Sequence, residues 1–203
     1  MPALMLFVLV GAASAGPCIQ QDGMVTSVQW SVGTTIPAPN LSAYVELKPN
    51  LAGDENESML ELHDCASDRR APLFVITRSA DIRWSQDSRT LLAIDHPTAD
   101  TYEVILFTVG NHRSGLSVQR DSKFNDLLRR KVGERINLGR PIVFFRPAFK
   151  TWDGPTLTLA IVGTSADLSG GAMHAYCFKA IVNTNDHRIL RIVRWPNGCK
   201  SDD

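Results

Sequence analysis

The stretch 81–109, DIRW-SQDSR-TLLAID-HPTAD-TYEVILFTV, constrains the fold more than any other part of the chain. Runs with strand-like alternation are separated by two breaks, and each break carries turn chemistry. Ser85-Gln86-Asp87-Ser88 follows Trp84 and closes a hairpin, because Asp and Ser side chains bond to their own backbone. In His96-Pro97-Thr98-Ala99-Asp100, Pro97 removes a ladder donor and sets φ. Antiparallel β structure follows from this pattern. A catalytic motif does not.

The 203 residues suffice for one domain with a sizeable core. With 21 basic and 21 acidic residues the formal charge is zero, which removes the long-range attraction that nucleic acid or anionic lipid would use. The longest basic run, Leu127-Leu128-Arg129-Arg130-Lys131, sits on an expected helix, and a nucleic-acid partner is not expected. The first fifteen residues, MPALMLFVLVGAASA, are apolar through Val10 and end on Ala13-Ser14-Ala15. They read as a signal peptide cleaved before Gly16, leaving 16–203 as a single β-rich domain, periplasmic or secreted. A buried N-terminal strand or a misplaced start is the alternative, since no Lys or Arg precedes the apolar run. The run is shorter than the ~20 apolar residues of a membrane span, and no other stretch approaches that length, so no transmembrane segment is expected after cleavage.

Four cysteines, Cys18, Cys65, Cys177 and Cys199, follow that cleavage point. In an exported chain they suggest two disulfides, each worth ~2–4 kcal/mol. Three pairings are open; the shortest loops favour Cys18–Cys65 with Cys177–Cys199. No CxxC pair is present, which makes zinc a poor alternative.

Short strands are expected at 25–32, 43–47, 59–62 and 73–77, broken apart by Pro37, Pro39, Pro49 and Gly53. The acidic loop 54–57 reads as a solvated turn. After a turn at 110–115 comes an alternating run at 116–120 and then a helix over 122–136. Phe124, Leu127, Leu128 and Val132 form one apolar stripe on that helix. Asp121 or Ser122 caps its start, and Gly139 lies just past its end. The second half repeats the order of parts: a strand over 148–152 ending in Trp152, a turn at Asp153-Gly154, a strand over 156–163, and a break over 164–173. A strand over 174–182, a turn at 183–187 and a strand over 188–193 follow. Trp84 and Trp152 are about 68 residues apart; removing the helix and its flanks leaves roughly 45, a propeller-blade period.

On these residues the chain resembles a known family. Trp84-Ser85-Gln86-Asp87-Ser88-Arg89-Thr90-Leu91-Leu92-Ala93 is similar to the W-S-P-D-G-K/R-x-L-x-A/F repeat of WD40-like, TolB-type β-propellers. Residues 102–109 are similar to the strand that follows in that repeat. Trp152-Asp153-Gly154 with Leu157 and Leu159 resembles a shortened copy, and a Trp30-Ser31 pair marks a degenerate third unit. Gln86 and Ser88 replace the usual Pro and Gly. The resemblance implies blades rather than an activity, and a full ring needs at least about four blades of ~40 residues. The expected fold is therefore all-β and mainly antiparallel. It is a partial propeller-like stack with units at about 81–120 and 148–193 and one inserted helix.

In such a stack the longer loops, 95–101 and 164–173, emerge with the helix connection on one face, opposite the tight turns. That face offers Asp95, His96, Asp100, Ser165, Asp167, Ser169 and His174 as partner-binding residues. A protein partner is expected and no cofactor; the concrete form is a periplasmic immunity or inhibitor protein that plugs a toxic cell-wall enzyme. One alternative is a hydrolase with Ser169 as nucleophile, His174 or His96 as base and Asp167 or Asp95 orienting it. Others are a metal at Asp95, His96 and Asp100, and a structural envelope component. The G-x-S-x-G elbow, HExxH, GxGxxG and the P-loop are absent. His63, His112 and His187 read as surface histidines in turns, and Trp30, Trp84, Trp152 and Trp195 as core.

Overall fold

The computed structural model describes residues 33–51, 57–67, 69–112, 115–136, 140–167 and 172–195. The expectations for residues 1–32, for Gly139, Ser169 and Cys199 and for most of the acidic loop lie outside them. Strands β1 (Thr35–Pro37), β2 (Ala43–Pro49), β3 (Ser58–Asp64) and β4 (Arg70–Ile76) form a first sheet. Strands β5 (Ala80–Trp84), β6 (Thr90–Asp95), β7 (Glu103–His112) and β8 (Gly115–Asp121) form a second. Helix α1 (Phe124–Ile136) follows, and β9 (Ile142–Asp153), β10 (Thr156–Ala166), β11 (Met173–Asn183) and β12 (Arg188–Arg194) form a third. Each sheet is an antiparallel meander in chain order. The described chain is all-β with one inserted helix.

The second sheet is the middle layer. Leu91, Ala93, Ile105 and Phe107 pack into a core shared with Val45, Leu47, Leu60, Leu62 and Phe74 of the first sheet. Leu92, Ile94, Val104 and Leu106 pack the other way, against Leu157, Leu159, Ile161 and Phe178 of the third sheet and Phe124, Leu128 and Val132 of α1. All six residues of β6 are buried. This corrects the alternation expected there: a strand covered on both faces reads as a continuous apolar run.

The strands expected at 43–47, 59–62 and 73–77 are present as β2, β3 and β4, and with β1 they form this first four-stranded meander. Pro37 and Pro49 end β1 and β2, and Pro72 lies beside the register shift at Leu60/Glu61, positions where a missing ladder donor is tolerated. The third sheet is longer than expected. β9 starts at Ile142 and β10 runs to Ala166, so Thr164 and Ser165 belong to a strand, Ser165 opposite His174. The break narrows to the residues between β10 and β11.

The hairpin turn after Trp84 is held as its composition suggests. Ser85 Oγ donates to Asp87 Oδ1 at 2.6 Å and accepts from Thr90 N at 2.8 Å, while Ser88 adopts φ +60°. The same residues join the layers: Asn40 N donates to Ser88 Oγ at 3.0 Å and Trp84 Nε1 to Ile36 O at 3.2 Å. On α1 the stripe buries Phe124, Leu128 and Val132, with Leu127 half-exposed, and Asp121 Oδ1 accepts from Lys123 N at 3.0 Å just before the first turn. Trp195 is buried against Ala160 and Cys177, with Lys179 Nζ 4.2 Å above its ring. Neither described cysteine, Cys65 or Cys177, is a free thiol; Cys18 and Cys199, the other members of the expected pairs, lie outside the described residues.

Two stability outcomes follow. Leu106→Ala removes a fully buried side chain from the middle layer and lowers unfolding free energy by about 2–5 kcal/mol in denaturant titration, against under about 0.5 kcal/mol for the exposed Leu190→Ala. Gly163→Ala is disruptive for a different reason: a Cβ there would collide with Phe144 O and with the Tyr176 phenol. It destabilises by more than ~2 kcal/mol, while Tyr176→Phe, which loses the 2.6 Å bond from Tyr176 Oη to Phe144 O, costs only about 1 kcal/mol.

Candidate functional site

Antiparallel meanders send alternate connections to opposite ends, and three contacts show which ends coincide. Thr90 Oγ1 donates to Thr184 O at 3.5 Å, His187 Nε2 lies 3.2 Å from Thr108 Oγ1, and Asn40 N reaches Ser88 Oγ at 3.0 Å. These gather the tight turns at one pole. The connection between β6 and β7 and that between β10 and β11 therefore share the opposite pole. Aromatic contacts tie the first of these connections to the third sheet: His96 packs on Tyr102 (ring centroids 4.6 Å), and Tyr102 meets Phe144 of β9 edge-on at 6.0 Å. Arg146 sits 5.8 Å over the Tyr102 ring.

The expected site residues fall into two clusters on that pole. In the first, Asp95 is 7 % exposed and its Oδ1 has no hydrogen-bond partner among the described residues. Burial, reinforced by Glu103 directly across the ladder, pushes its carboxyl up to about 6. His96 Nδ1 lies 3.3 Å from Ser79 Oγ and its Nε2 3.9 Å from Asp81 Oδ2. Burial lowers its pKa and outweighs the pull of Asp81. Asp100 is exposed, and its N–H donates to Thr98 Oγ1 at 3.4 Å. Asp95, His96 and Asp100 do not bring three ligand atoms together, so the metal set weighed from sequence does not assemble. Among the described residues the group that does is Glu46, Glu61 and His63.

The second cluster joins the third sheet to the connection that follows α1. Asp167 Oδ1 lies 2.9 Å from Arg140 Nη2 and 3.2 Å from His174 Nε2. Ser165 is fully buried and its Oγ donates to His174 O at 3.5 Å, not to the imidazole. Ser169 lies outside the described residues. Arg135, Arg140, Arg194, Ser165, His174 and Tyr176 line a groove of about 260 Å³. Burial pushes the Tyr176 phenol up to about 12, so its proton stays in place at physiological pH. Three guanidinium groups and an imidazole on one shallow groove favour an anionic guest.

Sequence reading missed both the arginines and the acidic triad. Arg135, Arg140 and Arg194 come from a helix end, a connection and the last strand, and no spacing rule links them. Glu46, Glu61 and His63 were legible only as polar positions on alternating strands; the register of β2 on β3 sets Tyr44 against His63 and Glu46 against Glu61. His63 is corrected outright: it lies on a strand, 2 % exposed, stacked on Tyr44 at 4.5 Å, rather than in a surface turn. His187 is likewise mostly covered, its Nδ1 3.1 Å from Asp121 Oδ2. His112 is corrected too: β7 continues through Gly110 and Asn111 to His112, which pairs with Gly115, so the turn expected over 110–115 narrows to the residues between them; its side chain lies outside the described residues.

No family model and no curated protein matches the chain. Among solved structures it is similar to the Pyrococcus horikoshii acylaminoacyl peptidase (orthorhombic crystal form) at a TM-score of 0.37 and 13 % identity. That likeness covers 76 % of this chain and 23 % of the peptidase chain, so the chain spans under a quarter of that protein's length. Neither fold nor activity transfers at that level.

Asp95 generates a pH signature. Its folded-state pKa, about 6, stands above the ordinary carboxylate value of 3.8. The folded chain therefore holds this proton more tightly than the unfolded one between those values, and stability falls as pH rises from about 4 to about 6. Asp95→Asn removes the fall and stabilises by about 1–2 kcal/mol above pH ~7, after discounting for solvent screening. Urea unfolding of the two proteins across pH checks it.

Proposed function

We propose that this is an exported, non-enzymatic β protein that holds a protein partner at its loop pole, seating an acidic segment of that partner in the arginine-lined groove. The observation that carries the reading is the convergence of Arg135, Arg140 and Arg194 with His174 on one groove, in a chain whose overall charge is zero. Carboxylates are matched by the planar, bidentate guanidinium fork. Arg140 is already oriented by Asp167, so little of its side-chain freedom remains to be lost on binding. The three sheets are read as degenerate blades of the WD40-like, TolB-type kind, supporting loops rather than a reaction centre. In its concrete form the chain is a periplasmic immunity or inhibitor protein for a cell-wall enzyme, a reading supported by the leader-like first fifteen residues.

The hydrolase alternative keeps one supporting observation, the Asp167–His174 contact at 3.2 Å, which resembles the base-and-orienter part of a triad. The described serine beside it is buried and turned to a backbone carbonyl.

The test uses defined probes. A fluorescent polyglutamate peptide binds the full chain, polylysine does not, and binding weakens as salt rises. The double reversal Arg135→Glu with Arg194→Glu weakens polyglutamate binding at least about tenfold. Equal binding of both peptides, or an unchanged affinity in the double variant, overturns the reading. Hydrolysis abolished by Ser169→Ala and by His174→Ala, with folding intact, transfers the site to the enzyme class.

A further inference from the structure

The outward face of the first sheet carries a second constellation, remote in kind from the arginine groove. On β2 and β3 the inward positions Val45, Leu47, Leu60 and Leu62 fill the core. The alternate positions Tyr44, Glu46, Lys48, Glu61 and His63 share the other face. Cross-strand pairing sets the His63 ring on that of Tyr44, with Nδ1 2.9 Å from Tyr44 Oη. The imidazole is 2 % exposed. Its Nε2 points between two carboxylates, 2.9 Å from Glu61 Oε2 and 3.1 Å from Glu46 Oε2, yet it is too poorly aligned with either for a hydrogen bond and has no such partner.

With the proton on Nδ1, shared with Tyr44 Oη, the Nε2 lone pair faces two anionic oxygens. Three electron-pair donors then converge on one point, and what resolves such a cluster is a cation. Metal-bound histidine characteristically uses its second ring nitrogen in this way. A zinc-like ion stands ~2.0–2.1 Å from nitrogen and oxygen ligands, which spaces tetrahedral ligand atoms roughly 3.3 Å apart; the two nitrogen–oxygen separations, 2.9 and 3.1 Å, come within a few tenths of an ångström of that. Lys48 Nζ now occupies the carboxylates, 2.7 Å from Glu61 Oε2 and 3.5 Å from Glu46 Oε2. Its flexible stem lets the ammonium move out to water, leaving both oxygens to an incoming ion.

We propose that Glu46, Glu61 and His63 form a divalent transition-metal site of the zinc type, with Lys48 as the charge that holds the carboxylates when no metal is bound. One imidazole and two carboxylates select zinc, cobalt or manganese over calcium or magnesium, which prefer all-oxygen shells. Three protein ligands leave a coordination position for water or for a donor group of a partner. The site lies on a different sheet from the groove, and the two readings stand or fall separately.

The full chain, stripped with chelator, is titrated with Zn²⁺ by calorimetry and with Co²⁺ by visible absorption. One equivalent binds, and the Co²⁺ spectrum shows a low-symmetry nitrogen–oxygen shell. Glu46→Gln, at a partly exposed position where folding is retained, weakens binding at least about tenfold. Glu61→Gln does the same. Lys48→Met tightens binding, because the competing ammonium is gone while both carboxylates remain. His63→Gln abolishes the nitrogen-dependent Co²⁺ bands, with circular dichroism as the check on folding. The proposal is overturned if neither the wild-type chain nor Lys48→Met binds at millimolar metal. It is also overturned if affinity is unchanged in Glu46→Gln, or if binding is lost in Asp167→Asn and not in Glu46→Gln.

Discussion

Covering the middle sheet on both faces is the constraint on which the molecule depends. Leu91, Leu92, Ala93, Ile94, Val104, Ile105, Leu106 and Phe107 are each at most 1 % exposed, and successive residues feed opposite cores. A Val, Leu, Ile or Phe side chain buried this completely contributes about 1.5–3 kcal/mol relative to exposure. The outer sheets each give one face to these cores; the other face of the third sheet carries the small cluster of Ala160, Cys177 and Trp195, while that of the first carries polar side chains. Glu46, Glu61 and His63 occupy that polar face because β2 and β3 turn their leucines and valine inward.

The two poles are built differently. At the tight-turn pole, short polar side chains bind the layers together: Ser88 receives Asn40 N, Thr90 reaches Thr184 O, and His187 bridges Thr108 and Asp121. The residues that resemble a propeller motif thus serve to join sheets, with Trp84 Nε1 donating to Ile36 O across the first interface. At the loop pole the joining elements are rings and guanidinium groups, Tyr102 between His96, Phe144 and Arg146.

The zero net charge hides a local grouping of charges. Arg135, Arg140 and Arg194 collect in one groove, while Glu46 and Glu61 stand on the opposite outer sheet beside Lys48. Composition reports only the sum. Of the seven partner residues anticipated from sequence, Asp95 and His96 meet at one end of the pole and Ser165, Asp167 and His174 at the other, with Asp100 facing solvent. Ser165 was legible as polar and near a loop; that its hydroxyl is buried against His174 O follows from the ladder extending to Ala166, which small polar residues do not signal.

What the amino-acid order determined alone was local: the hairpin at Ser85–Ser88, the apolar stripe of α1, the meander of β5 to β8 and most of β10 to β12. Turn chemistry and periodicity act over a few residues, and those signals need no partner element. What only the tertiary structure decided was the stacking of the three sheets, the register and the sites. Pro37 and Pro49 end strands, as their chemistry leads one to expect, whereas Pro72 lies within β4 beside a register shift. The arginines and the Glu46–Glu61–His63 group come from segments whose proximity depends on cross-strand pairing and layer stacking. Pairing between neighbouring strands sets the acidic group and the stacking of layers sets the arginine groove, and neither is encoded by a single segment.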